Sequence, residues 1–169
     1  MSLTMYQTSV PVFVRGLKIL STLLGKAQAY TIEHGQDPAD LLNARLAPDM
    51  LSLIGQVQRA SDTSKLSGQR LSGVAAPRFE DTETSFAELE QRIAKSIAYL
   101  ETLQPAQFEG SESRTIQLNF GEFKPSFTGN SYLLTFALPN FFFHITTAHD
   151  ILRHNGLPIG KLDYLGTFN

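Results

Sequence analysis

The side chains best able to do chemistry in this 169-residue chain gather near its C-terminal end. His144, His149 and His154 account for three of the four histidines, and Asn140 stands one helical turn before His144. Imidazole is both a common metal ligand and a group that exchanges protons near neutral pH, so spacing decides which chemistry is open. Two histidines on a helix share a metal when they lie at i and i+4, on one face. Four beyond His144 comes Ala148, and His149 is one residue late, roughly 140° away around a helix of 3.6 residues per turn. The same interval separates His149 from His154, so none of the three forms a metal-binding pair. His144 has two readings: a buried neutral histidine held by Asn140, Thr147 or a residue of a facing helix, or a pocket residue that orients a ligand or shuttles a proton.

Other catalytic patterns are missing. The chain has no cysteine, which removes thiolate nucleophiles, disulfides and cysteine-held zinc or iron-sulfur clusters. Its serines carry no nucleophile-elbow sequence, and no glycine-rich phosphate loop is present. A net charge of -2 without clustered Lys and Arg argues against a nucleic-acid surface. The acids Glu80, Asp81 and Glu83 lack the ordered spacing of a calcium loop and read as a solvated connection. No uncharged apolar run reaches the ~20 residues of a membrane span, and no leader pattern opens the chain, so a cytoplasmic protein is expected.

The element that must position His144 is a long helix over 129–154. Leu133, Ala137, His144, Ala148 and Ile151 form one stripe at the 3.6-residue period. Leu134, Leu138, Phe141, Phe142 and Ile145 add an apolar flank, leaving a narrow polar strip with Thr146 and Arg153. Such a helix is buried on more than one side, which predicts a homodimer contact. Pro139 predicts a kink.

Earlier elements follow from local signals. Thr4-Met5-Tyr6-Gln7 is a capping box opening a first helix that stops before Gly35 and puts His34 at its dipole-favoured C-terminal end. Residues 37–42 read as a short connector, and Pro48 with Asp49 predicts the start of a second long helix. Ser61, Ser64 and Gly68 make that helix small on its core face, either for close helix approach or for a ligand. Ser85-Phe86-Ala87-Glu88 caps a third helix ending before Pro105. Ile116, Leu118 and Phe120, then Phe123, Pro125 and Phe127, alternate about Gly121 as a β-hairpin whose aromatic face should cover one end of the bundle. The apolar tail from Leu157 to Leu165 should pack along the helices and close a groove.

This order of elements, with Ala47-Pro48-Asp49-Met50, Gln56-Val57-Gln58, Phe79-Glu80-Asp81, Phe86-Ala87-Glu88-Leu89, the run from Leu138 to Ala148 (LPNFFFHITTA) and Ile151-Leu152-Arg153-His154-Asn155-Gly156, resembles a bacterial domain-of-unknown-function family of the DinB/YfiT-like superfamily. The resemblance implies one all-α domain over residues 1–169, an up-down-down-up four-helix bundle with a small β-hairpin before the last helix. It also implies relatives that are metal-dependent hydrolases or thiol-dependent transferases and isomerases acting on small molecules. Those relatives hold a divalent metal through one histidine of the second helix and a His-x-x-x-His pair of the last. Here the second helix has no histidine, its nearest polar residues being Gln56, Gln58 and Asp62, and Ala148 replaces the second member of the pair.

The expectation is therefore a homodimeric small-molecule-binding or regulatory module. Its degenerate metal site becomes a pocket lined by Gln56, Asn140 and His144, without a resident nickel or zinc ion. The alternative is an enzyme of the superfamily, working through Asp62 with His144 or through His144 alone as acid or base.

Overall fold

Thr4 opens α1 (Met5–His34) by accepting a hydrogen bond from the Gln7 amide while the Gln7 side chain accepts one from the Thr4 amide. Two otherwise orphaned donors are thus satisfied at once. Gly35, in the left-handed region at φ 61°, ends the helix. The computed structural model describes residues 3–167. A short α2 (Pro38–Leu42) follows, capped by Asp37.

The second long helix, α3 (Leu53–Ser72), starts five residues later than Pro48 predicts. Pro48 and Asp49 lie in a turn closed by the Met50 amide on the Ala47 carbonyl (3.0 Å), and Ser52 is the cap that accepts from Gly55. Both signals are valid locally, but only Ser52 has extended backbone running directly into the apolar period. The small face of α3 serves close approach. A Cβ on Gly68 would lie 2.9 Å from Leu103 and 3.1 Å from Leu100, and Ser61 meets Ser96 at 2.8 Å. The partner is α4 (Phe86–Thr102), capped by Ser85 and Glu88 as expected.

Strands β1 (Thr115–Gln117) and β2 (Ser126–Thr128) pair antiparallel, Ile116 opposite Phe127, and a further bridge joins Phe120 to Phe123. Pro125 gives only its carbonyl to the ladder, accepting from the Leu118 amide, which is the role an edge proline can fill. The hairpin runs into α5 (Gly129–Ser131), a π-helical stretch (Tyr132–Ala137) and α6 (Leu138–His154). The expected disturbance at Pro139 takes the form of this wide turn. The Leu138 amide reaches back to the Leu133 carbonyl, and this widened turn makes room for the Pro139 ring at the junction with α6.

Side-chain pairings fix the directions. Gln56 meets His144 and Ser67 meets Tyr132, so α3 runs antiparallel to the last helix. Asp62 meets Arg92, and Gly68 faces Leu103, so α3 and α4 are parallel. Phe13 packs on Phe141 and Gly156 on Tyr30, so α1 and α6 are parallel. This is the up-down-down-up bundle. Phe13, Leu17, Leu20, Val57, Ile93, Phe141 and Ile145 fill its centre, each worth about 1.5–3 kcal/mol of burial. Leu157 and Ile159 are buried, and α7 (Lys161–Leu165) lies on α1 through an Asp163–Lys26 ion pair.

The last helix is less enclosed than its composition predicts: Leu134 and Phe143 are each 54% exposed, so Phe143 falls outside the core stripe. Among the described residues no helix is long and apolar enough to cross a membrane.

Candidate functional site

The polar residues singled out above converge on one seam, where α3 faces the last helix. Gln56 donates its side-chain amide to the Leu51 carbonyl (3.1 Å), which turns its carbonyl oxygen toward His144 Nδ1 at 2.8 Å. An amide oxygen only accepts, so Nδ1 carries the proton and Nε2 keeps its lone pair. Nε2 has no protein partner, yet among the described residues no buried side-chain nitrogen or oxygen lacks one, so Nε2 reaches solvent. Burial, with the Arg59 charge nearby, pushes the His144 pKa down from 6.5 to about 4. The imidazole is neutral at physiological pH.

One turn earlier, Asn140 donates to Thr63 Oγ1 at 2.8 Å. Asn140 and His144 make no hydrogen bond to each other; each is held separately by α3. Further along, Tyr132 is fully buried in the π-helical stretch with its hydroxyl 2.8 Å from Ser67 Oγ and 3.0 Å from Arg70 Nη1. Ser67 spends its proton on the Thr63 carbonyl (2.6 Å). Tyr132 must therefore donate to Ser67 and accept from Arg70, which gives the chain a fixed direction.

Beside this ladder a cleft of about 200 Å³ opens between α3, the hairpin and the last helix. Arg59, Thr63, Arg70 and Asn140 supply polar groups, and Phe120 and Phe136, 5.9 Å apart, supply an apolar wall. Asn140 lines the cleft, His144 lies one turn beyond it, and Gln56 stands behind His144. The hairpin covers this end of the bundle as its aromatic face predicts, although Phe120 is half exposed.

A hollow of about 260 Å³ lies beside Arg92 and Glu83, which are paired with each other. Two wider ones, of about 570 and 580 Å³, lie where α1 begins and between α1 and α7. Neither has a buried polar side chain in its wall, and in the second Arg15, Lys18 and Asp163 are engaged by the Leu165 carbonyl, Glu101 and Lys26. Size alone does not mark a site.

Glu80 is exposed, as a solvated loop predicts, but Asp81 and Glu83 depart from that expectation. Arg92, almost fully buried on α4, binds Glu83 at 2.9 Å, Asp62 at 2.8 Å and Asp81 at 3.0 Å. Lys65 reaches Asp62 at 3.1 Å, and Arg59 pairs with Asp81. Phe79 lies against Lys65 and Arg92, whose charges sit 5.0 and 5.2 Å from its ring centre. Burial alone would raise the Glu83 pKa, but hydrogen bonds from Gln58 and Arg92 outweigh it and hold the carboxyl below its ordinary value. Arg59, Lys65 and Arg92 balance Asp62, Asp81 and Glu83, so the cluster is neutral as a whole.

Residues 5–165 match the family model described as a domain of unknown function, DUF1993. The chain belongs to the DUF1993 family. A crystal structure of a DinB family member protein from Shewanella denitrificans is 42% identical, aligns with a TM-score of 0.91, and covers 96% of this chain and 92% of that one. No curated protein matches. The DUF1993 chain thus has a DinB-like fold, and the resemblance stated from its motifs is correct.

The metal implied by that superfamily does not suit the donors of this DUF1993 chain. Gln56 occupies the α3 position opposite His144 and takes the Nδ1 proton. His149 turns away to Asp150 (2.9 Å) and the Gly160 carbonyl (3.3 Å), tying down the tail, and His154 is exposed. Among the described residues no three His, Asp or Glu side chains gather as a metal site would need. Arg70, Tyr132 and Phe136 were missed from the sequence. One signal was available: Arg59, Thr63, Leu66 and Arg70 recur at i, i+4, i+7 and i+11, a second stripe on α3 beside the core stripe.

Proposed function

We propose that this DUF1993 chain is a small-molecule-binding or regulatory module, and that its ligand occupies the cleft between α3, the hairpin and the last helix. The observation that carries this reading is the pairing of an aromatic wall, Phe120 and Phe136, with polar groups that α3 and the π-helical stretch hold in fixed orientation. A binding site needs this combination of apolar surface and few, well-placed polar atoms. His144 favours binding over acid-base chemistry: with a pKa near 4 it holds about one proton per thousand molecules at pH 7 and is a weak base. Thr63 sets the position of Asn140, and Gln56 and His144 pair with each other one turn beyond the cleft.

The protein acts in the cytoplasm as a homodimer in this reading. Support for the dimer comes from Leu134 and Phe143, large apolar side chains left half exposed on the last helix. Light scattering with size-exclusion chromatography tests it: a dimer mass that falls to the monomer in Phe143→Glu is expected, and a wild-type monomer at micromolar concentration overturns it.

The binding reading itself is tested by a thermal-shift screen of small polar and aromatic molecules against wild type and Leu66→Trp, a change that fills the cleft from a partly exposed wall position. Hits that stabilise wild type and lose their effect in the filled variant support it. Hits unaffected by the filling, or none at all, contradict it.

A further inference from the structure

Arg70 is the charge in the cleft that the protein leaves unbalanced. The other two charged groups in the wall, Arg59 and Asp62, belong to the neutral cluster centred on Arg92. Arg70 has no carboxylate partner among the described residues; it donates one N–H to the neutral Tyr132 hydroxyl and lies over the Tyr132 ring, 5.6 Å from its centre. A guanidinium has five N–H donors, so most of the fork is free. The ordinary use of an arginine in the last turn of a helix is to cap its carbonyls. On α3 Arg114 does that instead, donating to the Leu71 carbonyl at 2.7 Å and the Arg70 carbonyl at 3.3 Å. Arg70 is thereby released from its helix end and fixed against Tyr132, whose own proton is committed to Ser67.

We propose that the cleft selects a small organic monocarboxylate with a flat apolar body, and that Arg70 is the residue that recognises its carboxylate. The inference rests on the binding reading above and names the ligand class. A planar guanidinium fork matches a carboxylate through paired N–H donors, which a neutral amide cannot reciprocate. Asn140 Nδ2 is occupied by Thr63, so its Oδ1 is left to accept from a hydroxyl or amine on the ligand. Phe120 and Phe136 offer ring faces to the body. An apolar hole of roughly 150 Å³ already takes benzene, so about 200 Å³ admits one ring with a single acid group.

The test uses isothermal titration and amide NMR of the full chain with a panel of benzoate, furoate and hexanoate, each beside its neutral amide, and with inorganic phosphate. Benzoate or furoate is expected to saturate with a Kd of about 1 mM or tighter and to bind tenfold or more above its amide, with flexible hexanoate weaker; hexanoate binding best would overturn the flat body. Arg70→Met should weaken the acids roughly ten- to hundredfold while leaving the amides unchanged, and Arg70→Lys should recover only part. Unchanged amide binding shows that the variant cleft is intact. If Arg70→Met does not fold, the acid-to-amide ratio in wild type and its fall in Arg70→Lys decide instead. Acids and amides binding equally, in competition with each other and abolished by Leu66→Trp, would overturn the carboxylate assignment and leave the binding site standing. Phosphate binding through Arg70 with no acid binding would overturn it in favour of an inorganic anion. No cleft binding by any member of the panel, with neutral compounds still binding there in the thermal-shift screen, refutes the assignment alone; silence in both refutes both readings.

Discussion

Acid should weaken this protein through His144, by an amount that follows from its environment. The group falls from an ordinary pKa of 6.5 to about 4 in the fold, first because it is buried and second because Arg59 is near. Between those values the unfolded chain binds a proton that the folded chain refuses, so stability rises with pH across the window and is lost as pH falls from 6.5 to 4. Below 4 both states are protonated and the loss is complete. About 2.5 pH units at 1.36 kcal/mol per unit gives about 3 kcal/mol, a large share of the roughly 5–15 kcal/mol that holds a domain together. The assay is urea unfolding at a series of pH values for wild type and His144→Gln, which keeps an N–H for Gln56 but does not titrate. Glu83 also weakens the fold in acid: its carboxyl is held below the ordinary value, so its contribution is present above pH 4.5 and lost as pH falls through the folded value. That loss is common to both proteins and cancels. The stability difference, wild type minus variant, should be flat above pH 7, decline by about 3 kcal/mol toward pH 4, and level off. Parallel curves across the whole range would refute the reasoning.

Three further outcomes follow from other parts of the molecule. Arg92→Met leaves Glu83 with only Gln58, and Asp62 with Lys65 and Arg59, and should cost about 1.5–3 kcal/mol in denaturant unfolding, with protease cleavage appearing in residues 78–83; a loss under about 0.5 kcal/mol contradicts the clustered charges. Gly129→Ala places a methyl 1.8 Å from the Ser111 carbonyl oxygen, and backbone must move, at about 1–3 kcal/mol or more. Gly25→Ala, with nothing within 4 Å, should instead raise Tm through about 0.5–1 kcal/mol of helix propensity; the same sign for both would be wrong. Elemental analysis of untagged protein purified without chelators should find no near-stoichiometric nickel or zinc. Metal present in wild type and lost in His144→Ala reverses the account of the donors.

Where a signal was local, it could be read. The capping boxes at Thr4 and Ser85 need only neighbouring residues, and both helices start where those boxes place them. Pro48 and Ser52 were competing local signals, and the choice between them depends on how the turn at 47–50 meets the start of α3. That His144 would be held by a residue of the second helix was one of the readings open from its stripe, and Gln56 is that residue. The acidic segment is different. Asp81 and Glu83 look alike whether solvated or paired, because their partner Arg92 belongs to a helix they precede. Arg70 had the same difficulty: its stripe on α3 is visible, but its meaning depends on Tyr132 and Phe136 arriving across the bundle through a π-helical turn. Chemistry assembled from distant segments stays hidden until the fold brings them together.

In the proposed function, this protein meets a small molecule in the cleft between α3, the hairpin and the last helix. Amide NMR of the uniformly labelled chain, titrated with the compounds that stabilise it, locates the binding site residue by residue. Saturable shifts concentrated at Thr63, Arg70, Phe120, Phe136 and Asn140 and abolished in Leu66→Trp are expected. Shifts concentrated instead on the hollows beside α1, near Met5 and Phe108 or near Arg15 and Asp163, would contradict that placement.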